Sequence, residues 1–129
     1  MPNAIDYVQA SLLYNMQAVE VSTFKVANMN RPVQSSGDSV FIEMTLNNGG
    51  RALEITNGQS VQSVAEVDLK SVYQPDSPDA DENGFVQMMD IDLAQEMVHM
   101  SLHKRAYELG VKMFNTHASM RESALRIGS

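Results

Sequence analysis

Cysteine is absent from the 129-residue chain, which excludes disulfides, thiolate nucleophiles and cysteine-ligated zinc and leaves the redox compartment unread. Tryptophan is absent too, and aromatic residues make up only 6% of the sequence. Basic residues are scarce: nine Lys and Arg face sixteen Asp and Glu. The resulting net charge of −7 disfavours a partner held through phosphates, so neither nucleic acid nor an anionic membrane surface is expected. No eighteen apolar residues follow one another, and the first twenty residues have neither a basic leader nor a continuous apolar run. The expectation is a chain that is not membrane-embedded and has no Sec-type signal. Its length is about that of one domain, too short for a multidomain enzyme.

Methionine is what the chain has in excess. There are ten, six of them at position 88 or later, and their flexible side chains suit either an ordinary core or soft packing between subunits.

From Ala4 to Met29 no Pro or Gly interrupts the chain, and Ile5, Leu12, Val19 and Val26 recur every seven residues. This predicts one helix of about 25 residues, ending before Pro32. Arg31 to Asp38 reads as a linker. Between Ser39 and Tyr73 the pattern becomes β: Val40, Ile42, Met44 and Leu46 alternate with Phe41, Glu43 and Thr45. Asn47-Asn48-Gly49-Gly50 then turns the chain into a return strand over Ala52 to Thr56. Val61 to Val72 predicts a third strand, with a helical turn near Val61, Val64 and Val67 as the alternative. Gln74 to Asp92, with Pro75, Pro78, Gly84 and six acids, predicts an irregular acidic loop. Asp92 reads as the N-cap of a helix running to Ile127, with Gln95 three residues on.

That last helix has two apolar seams. One follows Leu93, Met97, Met100, Tyr107, Val111, Phe114, Ala118 and Leu125; the other follows Val98, Leu102, Ala106, Leu109, Met113, Met120, Ala124 and Ile127. A helix with one partner needs one stripe, so two stripes imply a second partner that the N-terminal helix cannot supply. The fold expected is α+β, with a terminal helical domain (1–31 with 92–129) and a small β-rich insert carrying the acidic loop (32–91).

Chemistry is thinly represented. Asp79-Ala-Asp81-Glu-Asn83-Gly84 matches the opening of a calcium loop, with Asp90 where a bidentate Glu normally sits. Pro75 and Pro78 forbid the usual incoming helix, however, and an acidic solvated turn is the better reading. His99 and His103 lie four apart on one helical face but have no third ligand nearby, so both are read as ordinary polar helix residues. No nucleophile arrangement or phosphate loop has motif support, and neither catalytic, cofactor-binding nor metal residues are expected. The chain is also electrically divided: Glu66 to Glu96 holds nine acids against Lys70, while the C-terminal helix carries Lys104, Arg105, Lys112, Arg121 and Arg126. That asymmetry suits head-to-tail contact between subunits, or equally helix-dipole complementarity.

Both ends resemble one family. Val21 to Pro32 reads VSTFKVANMNRP, similar to the V-x-A-N-N-I-A-N-V-N-T-P pattern of the flagellar axial proteins, which form rod, hook and filament junction. Phe24-Lys25 replaces the tandem Asn, and Arg31 replaces Thr. Asp92-Leu-Ala-Gln-Glu-Met-Val98, Arg105-Ala-Tyr107 and Phe114-Asn115 resemble the family's D-L-x-x-E-M-V, R-x-Y and F-N patterns. The short loop from Val72 to Val86, with the chain's length, most resembles the proximal rod members. The resemblance implies terminal helices forming a coiled-coil-like inner layer through Ile5, Leu12, Val19, Val26, Asn28, Asn30, Leu93, Met97, Met100, Tyr107, Val111, Phe114 and Leu125. It implies export through the flagellar type III apparatus without a cleaved signal. It also implies helical assembly with itself and other rod proteins in the periplasmic span of the basal body, transmitting torque from the membrane ring to the hook, with a hook-basal body adaptor among the partners. Two other readings remain: a small calcium-binding module on residues 79–90, and a soluble coiled-coil adaptor or export chaperone.

Overall fold

The computed structural model describes residues 3–128. In chain order they form α1 (Ala4–Asn28), β1 (Ser39–Asn47), β2 (Gly50–Thr56), β3 (Ser63–Tyr73), β4 (Phe85–Met89) and α2 (Leu93–Ile127), an α+β fold with long terminal helices and a small antiparallel sheet.

Both helices begin at side-chain caps. At the start of α1, Asn3 N–H donates to Asp6 Oδ2 (2.9 Å) and Asp6 N–H donates to Asn3 Oδ1 (3.1 Å), a reciprocal box that satisfies two otherwise orphaned donors. At α2 the Asp92 carboxylate accepts from Gln95 N–H at 3.2 Å, as its spacing predicts. The far end of α1 is closed by the Asn28 side-chain amide, which donates back to the Phe24 carbonyl at 2.8 Å, four residues before Pro32.

The chain divides into two compact units, and the boundaries fall inside the helices: residues 1–20 with 97–129, and residues 21–96. In the second unit the strands lie in the order β2-β1-β3-β4, every neighbour antiparallel. Asn47 pairs with Gly50 across a two-residue turn in which Asn48 (φ 49°) and Gly49 (φ 81°) both adopt left-handed geometry. That conformation matches the twist of the strands and explains the Asn-Gly pair. The alternation read for β1 buries Val40 and Ile42 completely, and with Val21, Val67, Met89 and Ile91 they form the core.

Two expectations need correction. Residues 63–73 are a strand throughout, so the helical turn considered there is not formed. The region taken as an irregular loop contains β4, paired with β3 from Leu69↔Met89 to Tyr73↔Phe85, so the sheet has four strands and not three. β4 also receives Val33, whose N–H donates to the Gln87 carbonyl at 2.8 Å.

Candidate functional site

In the unit built from residues 1–20 and 97–129, α1 and α2 pair antiparallel. Between Ala4 and Met16 the half-buried positions of α1 are Ile5, Val8, Leu12 and Met16, the spacing of a single helical seam, and Gln17 to Glu20 are all half-buried as well. On α2 the protected positions are Met100, His103, Ala106, Gly110, Val111 and Phe114. Three members of this contact are polar or lack a side chain: Asn15, which the seven-residue pattern places near the apolar face of α1, and His103 and Gly110, which apolar periodicity does not reveal. Asn15 is only 6% exposed, and its Oδ1 lies 2.9 Å from His103 Nδ1. Tyr14 packs edge-on against the same imidazole, ring centroids 5.8 Å apart. Gly110 is buried because Leu12 fills its place: a Cβ built at Gly110 would lie 2.7 Å from Leu12 Cδ2. His103 is therefore part of the interhelical contact, where the spacing alone had suggested an ordinary polar residue.

The other seam of α2 faces outward. Val98, Leu102, Leu109, Met113, Met120 and Ile127 are each at least 57% exposed. They are separated by four or seven residues, which keeps them on one stripe of the helix. Leu109, Met113 and Met120 also line a groove of about 470 Å³ whose opposite wall is Ala4, Ile5 and Val8. Every residue from Asn115 to Gly128 is exposed. Fully burying one Leu or Met side chain stabilises by about 1.5–3 kcal/mol, so an apolar stripe of this length is a strong driving force for association once a complementary surface meets it.

The residues expected at an assembly interface are spread over several environments. Met100, Val111 and Phe114 on α2, and Ile5, Leu12, Val19, Val26 and Asn28 on α1, are half-buried within the chain. Asn30, Leu93, Met97, Tyr107 and Leu125 are exposed.

In the other unit, Lys25 Nζ donates to Glu96 Oε1 at 3.3 Å, both side chains mostly shielded. Glu96 Oε2 is buried with no protein hydrogen-bond partner among the described residues. The acidic segment is organised by its own backbone: Asp81 Oδ1 accepts from Asn83 N–H and Phe85 N–H, both at 2.9 Å, and Asp81 N–H donates to the Phe85 carbonyl at 2.8 Å. The carboxylate oxygen and the carbonyl that a calcium loop would direct at an ion thus close a turn into β4. Gly84 makes that turn possible, with φ +86° and the Tyr73 ring so close that a Cβ would lie 2.9 Å from its Cε1. Among the described residues no three His, Cys, Asp or Glu side chains are placed to hold a metal ion, and no helix is long and apolar enough to cross a membrane.

Comparison with known proteins gives this geometry a context. Residues 82–127, which hold β4 and the whole of α2, match the family described as the flagellar basal body rod FlgEFG protein C-terminal region. The flagellar basal-body rod protein FlgC of Salmonella typhimurium is 38% identical over 77 residues, 58% of each chain. FlgC of Bacillus subtilis is 34% identical over 100 residues, 74% of this chain and 65% of that one. FlgC of Escherichia coli is 29% identical over 129 residues, 98% of this chain and 96% of its own. The match to the Salmonella relatives spans 58% of their length. With its paired terminal helices and the motifs they carry, the chain belongs to the flagellar basal-body rod protein family, its relatives there being of the FlgC type.

Proposed function

We propose that the chain is a structural subunit of the bacterial flagellar basal-body rod, assembling helically and passing torque from the membrane ring toward the hook. One observation carries the reading: α2, the element that holds most of the family match, keeps an apolar stripe exposed along its length while α1 half-covers Met100, Val111 and Phe114 of its other seam. A tube built from such subunits gives that stripe a neighbour. The terminal helices (1–31 with 92–129) serve as the axial layer, with Ile5, Leu12, Val19, Val26, Asn28, Asn30, Leu93, Met97, Met100, Tyr107, Val111, Phe114 and Leu125 contributing either to the pair itself or to its contacts in the tube. The insert (32–91) holds the four strands. Partners are other copies, other rod proteins, the membrane ring and a hook-basal body adaptor, reached through the type III export apparatus without a cleaved signal and in the periplasmic span. The role is mechanical and no reaction is assigned to it.

The acidic segment and the basic residues of α2 favour a preferred orientation when copies meet, which makes association faster at low salt. The reading is tested by purifying basal bodies from cells that encode the chain and locating it by mass spectrometry, with motility scored after its deletion. Recovery in the rod fraction and loss of motility are expected. A chain found only as a soluble closed oligomer in motile deletion cells would contradict the reading and favour the adaptor alternative.

A further inference from the structure

We propose that Asn15, His103 and Gly110 set the register of the α1–α2 pair and so determine which of the available apolar seams α1 covers. The inference concerns pairing within one chain and stands on its geometry, whatever the chain is assembled into.

The donor pattern is fixed by the surroundings. The Asn15 Nδ2 group donates to the Ser11 carbonyl at 2.8 Å and lies 3.3 Å from Ser11 Oγ, which turns Oδ1 toward α2. An amide oxygen can only accept, so His103 Nδ1 carries the hydrogen and donates across the helix pair at 2.9 Å. Both ends of this bond are therefore committed, and Tyr14 holds the imidazole from the side. Two turns away along α2, Leu12 occupies the place a side chain would take at Gly110. The polar bond and the notch lie on the same seam and require the same alignment.

Sliding the helices by one heptad breaks both. In one direction Asn15 comes opposite Gly110, which has no side chain to bond, and Leu12 meets His117. In the other, Leu12 meets the His103 ring, the β-branched Ile5 takes the place of Leu12 at Gly110, and Asn15 comes opposite Glu96, whose carboxylate has no hydrogen to donate. The apolar part of the seam imposes no such penalty, because Met16 and Met100 adapt their shape to a displaced neighbour. A single buried polar position is known to specify register and partner in helix pairs at some cost in stability, and here a glycine notch reinforces it. The outward stripe of α2, Val98, Leu102, Leu109, Met113, Met120 and Ile127, offers neither a hydrogen-bond donor for Asn15 nor a notch for Leu12, so α1 borders it only along the groove that Val8 shares with Leu109 and Met113.

The absence of native cysteine makes the test direct. Two reporters are built in the full chain: Val8→Cys with Met113→Cys, positions that line one groove in this register, and Val8→Cys with Ala106→Cys, which meet only after a one-heptad slide. Intramolecular disulfide formation under mild oxidation is read by mass spectrometry, with helix content followed by circular dichroism. In the otherwise native chain the first pair should close about tenfold more readily than the second. Adding Asn15→Leu and His103→Leu should bring the two within about threefold while helix content is kept or raised. His103→Gln, which retains a donor for Asn15, should preserve the native ratio. Gly110→Leu should suppress the native link, and adding Leu12→Ala should restore it. An unchanged ratio in the double Leu variant would overturn the assignment. So would loss of helix in that variant, because the pair would then be a source of stability and not of register. Failure of Leu12→Ala to rescue Gly110→Leu would overturn the role of the notch.

Discussion

Gly84 shows how much can rest on one missing side chain. Its φ of +86° is costly for any other residue, and the Tyr73 ring and Pro75 stand where a Cβ would go. Gly84→Ala should lower stability by about 1–3 kcal/mol, measured as a shift in the urea midpoint of the full chain, with the loss concentrated in the β3–β4 pair. The Lys25–Glu96 pair is a second such place. Lys25→Ala strands a shielded carboxylate whose second oxygen already lacks a protein partner, so its cost should fall near the lower end of the roughly 3–5 kcal/mol seen when a buried ion pair is broken. Lys25→Met with Glu96→Leu removes both charges and should lie within about 1 kcal/mol of the parent in the same measurement. By contrast, Glu122→Gln on the exposed end of α2 touches only an open pair with Arg126 and should change stability by less than about 0.5 kcal/mol.

At the scale of elements, stability should be uneven. β1 and β3 hold the fully buried Val40 and Ile42 and the nearly buried Val67, whereas the last turns of α2 have every residue exposed. Amide exchange in the isolated chain should therefore be slowest at Val40, Ile42 and Val67 and fast from Asn115 to Ile127. Equal protection of the two segments in a verified monomer would contradict this. The same contrast explains what the sequence disclosed. Regular signals were readable: the seven-residue repeat of α1, the Asn-Gly hairpin and the Asp92 cap stand in the structure as their chemistry demands, and the alternation of β1 holds at Val40 and Ile42 but is lost by Leu46, which is 83% exposed. β4 was hidden because its five residues, Phe85–Met89, do not alternate in polarity and follow two prolines, a glycine and several acids, a setting that reads as loop. Its strand depends on a partner supplied from β3, which local pattern cannot show. The interhelical contact was half legible for a related reason. Leu12, Met16, Met100 and Phe114 follow apolar periodicity, but Asn15 and His103 are held by their mutual bond and Gly110 is shielded by Leu12, and none of the three carries an apolar signal. Two seams on α2 were visible in the sequence; which of them α1 would cover was decided by those three residues.

In the whole molecule an inward seam, half-covered by α1 at Met100, Val111 and Phe114, stands beside an outward stripe left for neighbours. A substitution on the stripe should spare folding and remove assembly, since a carboxylate there is solvated in the free chain and becomes a buried, unpaired charge in the tube, a cost of several kcal/mol. The most direct measurement is the amount of chain recovered in purified basal bodies from cells carrying Leu109→Asp with Met113→Asp, compared with Glu122→Gln cells. The account predicts that the double variant is made, exported and folded in its β-rich unit yet absent from the rod, with motility lost, while Glu122→Gln cells are normal. Basal bodies containing the double variant at the parent level would show that the outward stripe of α2 is not an assembly surface.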